Sequence, residues 1–88
     1  MPVDYTLQFD AHAFRAFERL PQDIQVRVMD AILALADDPR PLGCRKLAGG
    51  DNEYRIRVGD YRVIYQVFDT HLIIVMVDVG HRREVYRG

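Results

Sequence analysis

The residues of this chain best suited to chemistry are arginines, and their placement is uneven. Between Tyr54 and Tyr65 the sequence runs Tyr54-Arg55-Ile56-Arg57-Val58-Gly59-Asp60-Tyr61-Arg62-Val63-Ile64-Tyr65, two alternating segments around a Gly-Asp pair. Glycine at the first central position of a two-residue connection suits a type II′ hairpin turn. Such a turn sets Val58 opposite Tyr61, Arg57 opposite Arg62, Ile56 opposite Val63, Arg55 opposite Ile64 and Tyr54 opposite Tyr65, and directly opposed residues share a face. One face then carries Tyr54, Ile56, Val58, Tyr61, Val63 and Tyr65, a core side. The other gathers Arg55, Arg57 and Arg62 beside Ile64, Gln66 and Phe68. A slip of one residue in register disperses the group. Opposed like charges are unfavourable by up to ~1 kcal/mol relative to a neutral pair, so the gathering calls for an anionic partner. A charged outer face also discourages edge-to-edge aggregation, but lysine and glutamate serve that end equally well. Three arginines and no lysine tilt the balance toward phosphate, whose oxygens match the guanidinium fork.

The formal net charge of −1 conceals an asymmetry. Met1 to Pro39 holds three arginines (Arg15, Arg19, Arg27) against seven acids, a balance of −4, whereas Arg40 to Gly88 holds nine basic residues against six acids, a balance of +3. A local patch of one sign governs polyanion binding more than the sum does.

The positioning elements follow from periodicity. Val3 to Phe9 alternates apolar and polar residues, as a half-buried strand does. Asp10 offers an N-cap carboxylate for a helix carrying Phe14 and Phe17 and reaching about Leu20. Pro21 suits the first turn of a second helix, in which Ile24, Val28, Ile32 and Leu35, widened by Ala31, form an apolar stripe ending at Asp38-Pro39. Pro39 to Asn52, with two prolines and three glycines, reads as a loop. After the hairpin, Leu72 to Val79 is apolar apart from Asp78, as expected of a strand covered on both faces, and Gly80 is expected to break it. The expectation is an α+β fold, β-α-α-β-β-β, with a largely antiparallel sheet and a two-helix hairpin packed on one face, in a single domain over residues 1–88.

At Tyr54 to Tyr65, and again at Val79-Gly80-His81-Arg82-Arg83-Glu84-Val85-Tyr86-Arg87, the chain resembles the RelE branch of the RelE/ParE toxin superfamily. The resemblance spans essentially the whole chain. It implies a ribonuclease that enters the ribosomal A site, cuts mRNA there and is neutralised by a cognate antitoxin. By position, Arg55 and Arg57 stand where that branch has basic, often lysine, residues, and Arg62 and Arg82 match its phosphate-binding arginines. Tyr86 matches its C-terminal tyrosine, which stacks on a base or orients a hydroxyl; packing of the tail onto the sheet is the other use of an aromatic there. Lys46 and Arg83 complete the expected RNA contacts. The ParE branch, which inhibits DNA gyrase and is no nuclease, shares the hairpin but generally lacks the tail arginine–tyrosine pair. A catalytically inactive antitoxin-binding or RNA-binding module is a third reading.

The departure from the family lies in the base. Arginine does not surrender its proton in proteins, so Arg55 and Arg57 position substrate and supply charge. His81, beside Arg82, is the titratable residue of the motif whose range suits acid–base work. His12 and His71 read as structural, and Cys44 as an ordinary thiol without a partner. No metal-ligand spacing, phosphate-binding glycine loop or nucleophilic triad appears, so no metal or cofactor is expected. The longest apolar segment, Leu72 to Val77, is far shorter than the roughly 20 residues of a membrane helix, and the N-terminus has no signal-like pattern. A cytoplasmic protein is expected.

Overall fold

The structure, a computed structural model, describes residues 4–83. Strand β1 (Thr6–Phe9) begins later than its alternation suggests, because the Tyr5 N–H bonds to the Ala36 carbonyl at 2.9 Å instead of entering the sheet. Asp10 caps helix α1 (Ala11–Glu18), its Oδ1 accepting the Ala13 N–H at 2.8 Å. Pro21 directly precedes helix α2 (Gln22–Leu35) and occupies its N-cap position. The carbonyls left open at the end of α1 are met from α2, where the Gln25 Nε2 donates to the oxygens of Phe17, Glu18 and Leu20.

Strand β2 (Arg45–Lys46) lies within the segment read as loop. Nothing in the sequence marks it, because a two-residue strand among prolines and glycines shows no alternation. Then come β3 (Glu53–Val58), β4 (Tyr61–Phe68) and β5 (Ile73–His81). The sheet order is β1-β5-β4-β3-β2. β1 runs parallel to β5 and every other pair is antiparallel. The β3–β4 register is the expected one, Arg57 facing Arg62 and Val58 facing Tyr61. Gly59 has φ +59° while Asp60 keeps a negative φ, the pattern of a type II′ turn.

Gly80 does not end the last strand. It pairs with Arg62, and His81 pairs with Tyr61. A glycine in a strand admits close approach from its neighbours, and here it gives Arg62 a partner without a side chain. The Arg82 N–H then closes the strand on the Asp60 carbonyl at 2.8 Å. Further back, the register shifts between Ile64 and Tyr65, which face Asp78 and Met76, so that Val77 is left over as a bulge.

Helices cover one face of the sheet. Ala13, Val28, Ile32 and Leu35 are fully buried there against Val63, Tyr65, Ile74 and Met76. A smaller apolar cluster, Leu47, Ile64 and Val77, lies apart from this core. The connection from α2 to β2 is fixed by side chains. The Tyr65 hydroxyl donates to the Pro39 carbonyl at 2.7 Å, and Arg40 packs over the Tyr54 ring, its Nε donating to the Tyr54 hydroxyl at 2.9 Å. Arg40 also pairs with Asp69 at 2.8 Å, and Asp69 accepts from the Tyr5 hydroxyl.

Candidate nucleic-acid interface

On the face away from the helices the strand registers bring arginines into two rows. Arg45 of β2 faces Arg55 of β3, which faces Ile64 of β4; Arg57 faces Arg62, which faces Gly80. Alternation places Glu53, opposite Gln66, on the same side. Arg57, Arg62 and Arg82 line a depression of about 70 Å3 together with Gly59 and Asp60. A larger groove of about 660 Å3 adjoins it, lined by Arg45, Arg55 and Arg57 and by apolar atoms of Ala31, Ala34 and Leu42.

The electrostatics of these rows are unsatisfied. The Nε atoms of Arg55 and Arg62 are buried and have no hydrogen-bond partner among the described residues. Such donors cost roughly 1–3 kcal/mol each when left unmet, and more when charged. Burial first, and then the neighbouring cations Arg62, Arg57 and Arg45, pulls the Arg55 guanidinium below its ordinary value. It remains charged, because an arginine pKa has far to fall before pH 7. The arrangement has donors and positive charge waiting for an anion that accepts several hydrogen bonds, and phosphate is such an anion.

A model of the family described as the ParE toxin of type II toxin-antitoxin systems matches residues 3–86. The chain belongs to this toxin family. Among relatives, toxin RelG of Mycobacterium tuberculosis is 34% identical over 97% of this chain and 99% of its own. The mRNA interferase toxin RelE of Escherichia coli is 29% identical over 93% of this chain and 90% of its own. The toxin of the archaeal RelE–RelB complex from Pyrococcus horikoshii superposes with a TM-score of 0.81 at 27% identity, covering 94% of this chain and 100% of that one. The α+β fold of two helices and a mostly antiparallel sheet is that of RelE toxins.

In this RelE-type toxin the structure assembles some of the residues named from the sequence and separates others. Arg55, Arg57, Arg62 and Arg82 come together around the depression and groove. Lys46 faces Tyr54, one step out of the arginine row. Arg45, which sequence reasoning passed over, holds the place opposite Arg55, and a two-residue strand offers no alternation to reveal it. His81 shares its row with Tyr61, whose ring it meets edge-on at 5.5 Å, so it lies one alternation away from the Arg62–Gly80 row. The His81 Nδ1 accepts the Arg83 N–H at 3.2 Å, in the exposed turn after β5. Tyr86 lies outside the described residues. His12 approaches Asp78 at 3.1 Å, joining the start of α1 to the bulge in β5. Among the described residues no three His, Cys, Asp or Glu side chains are grouped to hold a metal ion, and no helix is long and apolar enough to cross a membrane.

Proposed function

We propose that this toxin is an mRNA endoribonuclease acting in the ribosomal A site. The observation that carries the reading is the pair of buried guanidinium Nε donors of Arg55 and Arg62, without a partner among the described residues, Arg62 lining the same depression as Arg82. The name of the Escherichia coli relative, an mRNA interferase, supports it. The ribose O2′ attacks the adjacent phosphorus, the P–O5′ bond breaks, and the 2′-OH proton ends on the departing O5′. The products are a 2′,3′-cyclic phosphate and a 5′-OH. Negative charge collects on the non-bridging oxygens of the pentavalent intermediate, where preorganised cations give their largest effect. Arg62 and Arg82 clamp those oxygens, Arg55, Arg57 and Arg45 hold the strand, and Lys46 and Arg83 add outlying contacts. Tyr86 stacks on a base or orients a hydroxyl. Since His81 sits in the Tyr61 row, the cation cluster itself lowers the barrier to losing the 2′-OH proton, which solvent relays to the departing O5′. Primer extension on mRNA after induction of the toxin is expected to reveal cleavage within codons of translated messages, leaving a 5′-OH. Intact messages with arrested growth would overturn the reading.

A cognate antitoxin is the second partner, supported by the solved RelE–RelB complex. Its acidic groups would meet the arginine rows, and expression without it is expected to arrest growth. The family model carries the ParE name, which favours gyrase inhibition as the runner-up. Arg82 at the clamp argues for the nuclease, and a supercoiling assay with purified toxin separates the two.

A further inference from the structure

On the helix side of the same hairpin lies a cavity of about 380 Å3, lined by Leu20, Pro21, Val79, Arg19, Tyr61 and His81 among others. None of the site residues named above except His81 touches it. The volume is within the range of small-ligand sites, and the wall combines apolar surface with a few polar groups, as such sites do. Tyr61 and His81 meet at an interplanar angle of 81° and so do not stack on each other. With His81 Nδ1 accepting from the Arg83 N–H, the neutral ring carries its proton on Nε2, a donor with no partner among the described residues.

One arginine lines this cavity and a second reaches the hairpin tip. Arg19 caps α1 and lines the cavity. Arg27 reaches from α2 to the hairpin tip, where its guanidinium lies so close to Gly59 that a Cβ there would stand 3.0 Å from it. Neither arginine has a carboxylate partner among the described residues. The cavity and the clamp are neighbours through the backbone. Gly59 borders the clamp depression and touches Arg27, while Gly80 faces Arg62 and lines the cavity.

We propose that this cavity is a second nucleotide subsite, taking an unpaired base of the RNA strand whose scissile phosphate lies in the clamp, with Arg19 and Arg27 on its phosphates. The inference rests on the ribonuclease reading and extends it to a ligand on the opposite side of the sheet. Unpaired bases are recognised by aromatic and histidine rings and by contacts to their edges, and their phosphates by arginine. The cavity supplies these groups.

The test uses the purified toxin and 2′-O-methyl oligonucleotides of one to six residues, whose blocked O2′ prevents cleavage. Side-chain NMR signals of Tyr61 and His81 are expected to move saturably with the longer oligonucleotides, alongside the amides of Arg55, Arg57 and Arg62. Arg19→Ala and Arg27→Ala are expected each to weaken binding several-fold and to reduce the slope of log affinity against log salt by about 0.7, the value for one single-strand phosphate. Arg19→Lys and Arg27→Lys keep the slope. Tyr61 and His81 signals that stay fixed while the arginine-face amides move would overturn the subsite, as would unchanged slopes in both alanine variants or no binding at any length. Failure of the ribonuclease reading is detected separately, as uncut translated mRNA, and does not enter this measurement.

Discussion

The two faces of the sheet differ in what they leave unsatisfied. On the helix side Val28, Ile32, Leu35, Val63, Tyr65 and Met76 are fully buried, and the Tyr65 hydroxyl has its acceptor in the Pro39 carbonyl. Burial on the other face encloses the Nε atoms of Arg55 and Arg62 without a partner among the described residues, and the register sets Arg57 directly against Arg62. The first face supplies the free energy of folding. The second gives up part of it to hold cations side by side, where the proposed function places the RNA phosphate. Stability and activity should therefore respond in opposite ways to truncation on the two faces.

The largest effect is expected in the core. Leu35→Ala removes a side chain with no exposure and should cost up to about 5 kcal/mol from lost burial and the cavity left behind, read as a fall in the urea midpoint. Arg62→Ala or Arg82→Ala should lower the rate of mRNA cleavage by roughly two to three orders of magnitude, as removal of an oxyanion donor does, while the folded state persists by circular dichroism. Full toxicity at equal soluble expression would remove that arginine from the clamp. Arg57→Thr relieves the Arg57–Arg62 opposition and should raise stability by up to ~1 kcal/mol, measured by the same urea titration. An unchanged or lower midpoint would mean that the rows carry no strain.

A smaller effect is expected at Asp69. Hydrogen bonds from Arg40 first, and then from the Tyr5 hydroxyl, hold its carboxyl below the ordinary carboxylate value. A carboxylate depressed on folding contributes stability that is present above its unfolded pKa, about 4, and is lost as pH falls through the folded value. Asp69→Asn should therefore lower stability at neutral pH and flatten its decline below pH about 4. Both changes should be slight, because Asp69 is 57% exposed and solvent screens the pair. The smallest expected effect is on the pH profile. His81→Gln should keep the wild-type pH profile of single-turnover cleavage; loss of an inflection at pH about 6 to 7 would restore His81 as the acid or base.

How much of this was legible in the sequence depended on the range of the interaction that fixes each part. The β3–β4 register was legible because a two-residue turn starting with glycine leaves one way to pair Val58 with Tyr61. The gathering of Arg55, Arg57 and Arg62 followed from it. β2 was not, since its strand character comes wholly from pairing with Tyr54 and Arg55 rather than from any pattern of its own. That hid Arg45 and put Lys46 in its place among the expected RNA contacts. Reading Gly80 as a strand breaker was the local rule, overridden by the pairing with Arg62. The face occupied by His81 was hidden with it, because alternation fixes that face only if the strand continues. Joining Arg82 to the clamp needed the Asp60 carbonyl bond, a tertiary contact that spacing does not encode.

The parallel pairing of β1 with β5 has a consequence for timing. β5 is the last strand along the described chain and lies inside the sheet, between β1 and β4. Thr6 waits for Ile73 to arrive, and closing so long a loop is slow and comes late in folding. Until β5 is made, β1 has no sheet to join and β4 has an open edge, so a nascent chain stopped at Thr70 should remain open to proteases. Arg82 lies beyond β5 in sequence. Under the proposed function, a growing chain therefore has no complete clamp until the segment beyond β5 has been made and β5 has taken its place between β1 and β4.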